Sequence, residues 1–157
     1  MQKITPFLWF DDQAEEAINF YTSIFKNSKI GSVARYGEEG PGEPGKVMTA
    51  NFELEGQEFI ALNGGPIFKF TEAISFFVKC ENQQEIDYYW EKLSDGGEIQ
   101  QCGWLKDKFG ISWQIVPVIL GQLLNDPNAQ KARNVNKAML QMVKLDIGEL
   151  KKAYEEG

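Results

Sequence analysis

Glu16-Ala17-Ile18-Asn19-Phe20-Tyr21 comes back as Gln84-Glu85-Ile86-Asp87-Tyr88-Tyr89, and the same offset of 68 residues lays Leu8-Trp9-Phe10 over Phe76-Phe77-Val78. One offset shared by a helix-like and a strand-like segment marks an internal duplication, so the fold reads as one unit used twice. Around the first copy, residues 4–10 form a β-rich apolar run, and Asp11, Asp12 and Glu15 give a helix-start signal resembling a capping box. Ala14, Ala17, Ile18, Tyr21, Ile24 and Phe25 then keep the three-and-four spacing of an amphipathic helix that ends near Asn27. Residues 30–36 predict a strand, residues 37–46 a Gly/Pro/Glu loop, and residues 46–54 and 57–63 a hairpin turning at Glu55-Gly56. The pattern is βαβββ.

Around the second copy, residues 73–80 predict a strand, Asn82 with Glu85 repeats the capping signal, and Ile86, Tyr89, Trp90 and Leu93 line a second helix ended by Gly96 and Gly97. Three short strands over 98–102, 103–107 and 111–116 complete the unit at Pro117. The expected fold is therefore α+β: two βαβββ repeats, residues 1–66 and 67–117, forming a cupped mixed sheet with helices outside and an internal pocket. Residues 118–157 extend this domain as a C-terminal helical arm. Its helices are expected over 118–124, from Asp126-Pro127 with Ala132, Val135, Met139 and Val143, and from Asp146 with Glu149. The arm is expected to cover its own domain, the other reading being a dimer clasp.

The 157 residues, 43% apolar and 13% aromatic, supply a core and exclude disorder. A formal charge of −7, from 23 acids against 16 bases with only Arg35 and Arg133 as arginines, opposes the phosphate neutralisation that nucleic acid requires. No signal peptide and no apolar run on the order of 18 residues is present, so a soluble, cytoplasmic protein with no membrane partner is expected. Cys80 and Cys102 form no CxxC pair and read as two buried thiols.

Asp107-x-x-Gly110-x-x-Trp113-Gln114 before the last strand, with Trp9-Phe10-Asp11 and Glu15-Glu16-Ala17 opening the first helix, resembles the vicinal oxygen chelate superfamily, the glyoxalase and bleomycin-resistance fold. Leu62-Asn63-Gly64-Gly65-Pro66, Lys79-Cys80-Glu81 with Trp90, Gly103-Trp104 and Trp113-Gln114-Ile115-Val116-Pro117 are similar to its PhnB-like branch, labelled 3-demethylubiquinone-9 3-methyltransferase. Lys144-Leu145-Asp146-Ile147 resembles one subgroup of that branch. The resemblance implies a fold shared by metal enzymes, metal-free drug-sequestering proteins and members without a known activity. It also implies that a metal, where one is held, is ligated at positions that here read Thr5, Ala73 and Gln114. Such metals want imidazole, thiolate or carboxylate, and the chain has no histidine, so no metal and no cofactor are expected.

Strand alternation carried from those three positions turns Phe7, Trp9, Ser75, Phe77, Ser112 and Val116 inward, and Leu8, Phe10, Ile74, Phe76, Val78, Trp113 and Ile115 toward the helices. The expected ligand-binding set is Thr5, Phe7, Trp9, Asn63, Ser75, Phe77, Ser112 and Gln114, with Asn63 adding an amide from the end of the fourth strand. It suits a small hydrophobic or aromatic molecule held by stacking and one or two hydrogen bonds. Gly40-Pro41-Gly42-Glu43-Pro44-Gly45 matches GxGxxG, yet the next residues, Lys46 to Leu54, are strand-like rather than helical. The match therefore reads as a surface loop, with gating of the pocket as its livelier role.

Three function classes come into question, and the first fits the sequence best. One is a metal-free binding or sequestering protein; a second is an enzyme using Tyr36, Asp107 or a lysine of depressed pKa; the third is a homodimeric interaction module, which an exposed Met139/Met142/Val143 stripe would support.

Overall fold

The computed structural model describes residues 2–156, which form two compact units divided between Phe70 and Thr71. The first contains β1 (Phe7–Phe10), α1 (Ala14–Ile24), β2 (Ser28–Arg35), β3 (Val47–Leu54) and β4 (Gln57–Asn63). Its sheet runs β1-β4-β3-β2, with β1 parallel to β4 and the other neighbours antiparallel. Leu8, Phe10, Ala50, Phe52, Phe59 and Ala61 share one face and are buried, as are Ala14, Ala17, Ile18, Tyr21 and Ile24 of α1, which packs on β3 and β4. Phe52 stacks between Tyr21 and Phe59. The β3–β4 hairpin turns at Glu55 (φ 50°) and Gly56 (φ 81°), the paired left-handed conformation of a two-residue turn.

The start of α1 departs from the expected capping box. Gln13 occupies the cap position without a side-chain bond, and neither Asp11 nor Asp12 supplies one. The acceptor comes from 49 residues away: Asn63 Oδ1 takes the Ala14 N–H at 2.8 Å. The acids precede the helix in a bend, while β4 runs parallel to β1 and delivers Asn63 opposite Phe10, where the helix begins.

The second unit contains β5 (Ser75–Cys80), α2 (Gln83–Ser94), β6 (Glu98–Ile99), β7 (Trp104–Lys106) and β8 (Ser112–Pro117), in a sheet of order β5-β8-β7-β6 whose β5–β8 pair is parallel. It is the same βαβββ topology, and both sheets are mixed. Here the capping signal acts as expected: Asn82 Oδ1 accepts Glu85 N–H at 2.9 Å and Glu85 Oε1 accepts Glu81 N–H at 2.7 Å. Ile86 and Leu93 of α2, with Leu105, Trp113, Ile115 and Cys80 of the sheet, form the buried layer.

The arm continues directly from β8 as α3 (Val118–Leu124), α4 (Ala129–Leu140) and α5 (Ile147–Glu156). Asn128 rather than Asp126 caps α4, accepting from Gln130 and Lys131, because Asp126 Oδ1 is taken by the Asn128 N–H. Asp146 caps α5 through Glu149 N–H, as the sequence predicts. Leu120, Val135, Leu145 and Leu150 gather around Val116 of β8, with Met139 and Met142 packed against them. Main-chain bonds from Cys102 and Gly103 to Met142 and Val143 hold the segment before α5, and the Gln83 amide accepts from Ile147 N–H and donates to Leu145 O. The arm is thus a cover on its own unit, and the methionines of the proposed stripe are partly buried.

Candidate functional site

In each unit the sheet has one face under its helix and one turned away from it. On the first unit, register and alternation place Phe7 beside Ile60 and Asn51, and Trp9 beside Leu62 and Thr49, on the face away from α1. Phe7 is 54% exposed there, while Leu8 and Phe10, one residue on in each case, are buried. Trp9 is half-buried: its indole N–H donates to Gly65 O at 2.9 Å and its ring meets Phe68 edge-on at 4.9 Å. A Cβ on Gly64 would lie 2.3 Å from that ring, so the glycine is what lets the chain pass under the indole. Thr5 precedes β1 in irregular chain and is half-buried.

On the second unit, Ser75, Ser112 and Lys106 lie in one cross-strand row away from α2, and Phe77, Gln114 and Trp104 in the next. Phe77 is 52% exposed, Gln114 Nε2 donates to Ser75 Oγ at 2.9 Å, and Lys106 Nζ meets Glu72 at 3.2 Å. Ser112 is fully buried, and its Oγ has no hydrogen-bond partner among the described residues.

Three expectations are corrected. Asn63 shares the helix-side face with Phe10 and Ala61, and its amide is committed to the fold, accepting from Ala14 N–H and donating to Val47 O at 3.0 Å. What it lends to a cavity lies elsewhere, in a cleft of about 220 Å³ beyond the ends of β1 and β4 with Asp11, Asp12, Tyr36 and Lys46. Val116, expected inward, belongs to the core under the arm. Ile74, expected against the helices, is exposed just before β5. Sequence reasoning also missed Lys106 and Trp104, because the turn over 107–111 conceals which residues of β7 stand opposite Ser112 and Gln114.

The candidate acid–base groups are engaged. Asp107 accepts from Phe109 N–H, Ile111 N–H and Trp113 Nε1–H at 2.8 to 3.1 Å, which explains the Asp-x-x-Gly-x-x-Trp spacing: the carboxylate closes a turn whose Gly110 sits at φ 93°. Tyr36 donates its hydroxyl to Asn63 O, and its main chain pairs with Gly45 and Lys46 at the base of the 37–46 loop. That loop leads into β3 with no helix after its glycines, so it lacks the helix N-terminus that a GxGxxG cradle uses. Burial pushes the Cys80 thiol up to about 12, with the Glu85 carboxylate adding to the shift.

The topology of both units is that of the vicinal oxygen chelate superfamily. Within it the chain belongs to the 3-demethylubiquinone-9 3-methyltransferase family, whose sequence profile matches residues 2–116, up to the start of the arm. A Bacillus cereus structure described as a 3-demethylubiquinone-9 3-methyltransferase, PhnB protein, is 46% identical over 74% of this chain and 100% of its own, with a TM-score of 0.70. A Pseudomonas aeruginosa protein (19% identity, 74% and 98% coverage, TM-score 0.62) and a fosfomycin resistance protein of Listeria monocytogenes (16%, 80% and 98%, 0.59) share the fold. No protein of curated function matches the sequence.

The metal-holding members of the superfamily imply a divalent metal at three positions, and the donor set there does not fit one. Thr5 offers a neutral hydroxyl, Ala73 a methyl group in the turn before β5, and Gln114 an amide already bonded to Ser75. Among the described residues no three of His, Cys, Asp or Glu come together.

Proposed function

We propose that this chain is a metal-free small-molecule-binding protein of the glyoxalase and bleomycin-resistance type. Its ligand is a small hydrophobic or aromatic molecule held on the open face of a sheet, where the first unit offers Phe7 and Trp9 with Thr5, and the second offers Phe77 with Ser75, Ser112 and Gln114. On this reading the protein is a cytoplasmic homodimer. The observation that carries it is the exposure of Phe7 and Phe77, at 54% and 52%, on regular strands whose opposite face is closely packed. Large aromatic side chains left open on a rigid scaffold are a stacking surface.

A thermal-shift panel of planar aromatic compounds tests it. A true ligand at 100 times its Kd stabilises the protein by about 2.7 kcal/mol, and Gln114→Leu reduces the shift. Stoichiometric divalent metal in protein purified without chelator, or no response to any aromatic compound, would overturn the reading.

A further inference from the structure

The polar row of the second unit differs in kind from its counterpart in the first. Where Ser75, Ser112 and Lys106 stand across β5, β8 and β7, the duplicated positions carry Phe7, Ile60 and Asn51. Ser112 Oγ is buried and unpartnered among the described residues, a condition that lowers stability. Ser75 Oγ accepts from Gln114, which leaves its own O–H proton free to donate. Lys106 is paired with Glu72, whose side chain is 52% exposed, and an ion pair so open to water contributes little and exchanges readily. Two hydroxyl protons without an acceptor among the described residues therefore share a row with one ammonium whose only ion pair there is solvent-open, and an anionic acceptor would serve all three.

We infer that this row binds the carboxylate of an aromatic acid, which draws Lys106 away from Glu72 and gives Ser75 and Ser112 their acceptor. The inference rests on the proposed function, since it assumes a small molecule on this face. Phe77 and Trp104 flank Gln114 in the adjoining row and supply the surface for the ring. Ser112 is fully covered without ligand, so binding requires neighbouring side chains to move, and Lys106, its cross-strand neighbour, is the one that the acid draws away from Glu72.

The test compares 2-naphthoate with its neutral isostere 2-naphthamide by NMR titration of the full chain at pH 7. Naphthoate is expected to bind at least about tenfold more tightly, the worth of one hydrogen bond to a charged group. Lys106→Met should abolish that preference and keep the naphthamide response. Ser112→Ala should raise the Tm of the unliganded protein while weakening naphthoate, a trade that a merely structural serine would not show. If naphthamide shifts the Phe77 and Trp104 amides at the same concentrations as naphthoate, or if Lys106→Met keeps the preference, the carboxylate inference falls and the binding function stands. If neither compound shifts any resonance, the carboxylate inference falls, and the thermal-shift panel of aromatic compounds decides the binding function separately.

Discussion

Replacing Asn63 by alanine removes the group that holds the start of α1. Asn63 is 8% exposed, Val47 is 2% exposed and Ala14 is fully buried, so water cannot take over either of the two bonds the amide makes. A buried donor or acceptor left unpaired costs about 1–3 kcal/mol, so the Ala14 N–H and the Val47 carbonyl together lose about 2–6 kcal/mol. Against a typical domain stability of about 5–15 kcal/mol this is a large fraction. Urea unfolding followed by tryptophan fluorescence should show the midpoint falling with an unchanged slope. Asn63→Asp should fall between parent and alanine variant, because it keeps the acceptor and places a negative charge at a helix N-terminus but loses the donor to Val47. Asp12→Ala should stay within about 0.5 kcal/mol of the parent, as for a surface site that caps nothing. An Asn63→Ala protein within about 0.5 kcal/mol of the parent, or an Asp12→Ala protein less stable than it, would refute the assignment of the cap.

Gly64→Ala should drive its Cβ into the Trp9 ring, now 2.3 Å from that position, and cost about 1–3 kcal/mol by overpacking. A red-shifted indole emission, as the bond to Gly65 O is lost, would accompany the lower unfolding midpoint. Cys80 should resist alkylation at pH 8 in the folded protein, since burial raises its pKa from 9.0 to about 12. The unfolded chain releases this proton near pH 9 and the folded chain near pH 12, so the contribution is intact below pH 9 and is lost as pH rises between the two. Unfolding free energies from urea titrations should decline with pH in that window, by up to about 1.4 kcal/mol per pH unit more than in Cys80→Ala, and equal slopes in the two proteins would refute it.

The elements were legible because the helical and strand periods are local. Ala14, Ala17, Ile18, Tyr21 and Ile24 are the buried stripe of α1, and Leu8 and Phe10 alternate with Phe7 and Trp9 as the spacing requires. Caps were legible only where they are local: Asn82 and Glu85 are close in sequence and act as read, whereas Asn63 reaches α1 through the parallel β1–β4 pairing, which no window of sequence contains. The side of Gln114 came from the family resemblance, and that of Ser112 from alternation along the same strand. Lys106 did not, since its place depends on the register between β7 and β8 across an intervening turn.

The two units differ on the helix side at Asn63, which caps α1 where the second unit has Ile115, and along a whole row on the faces away from the helices. On the helix side Leu8 and Phe10 have Phe76 and Val78 as duplicated counterparts, all apolar, because that layer must close against α1 or α2 in either unit. On the open side Phe7, Ile60 and Leu62 give way to Ser75, Ser112 and Gln114, and no packing demand accounts for the change: a buried hydroxyl without a partner lowers stability where isoleucine would raise it. The arm extends the same unit and draws Val116 out of that face into its own core, so the polar residues end where the cover begins. On the proposed reading, a row that reduces stability, beside an added element that bounds it, is where the second unit would make its polar contacts to a ligand.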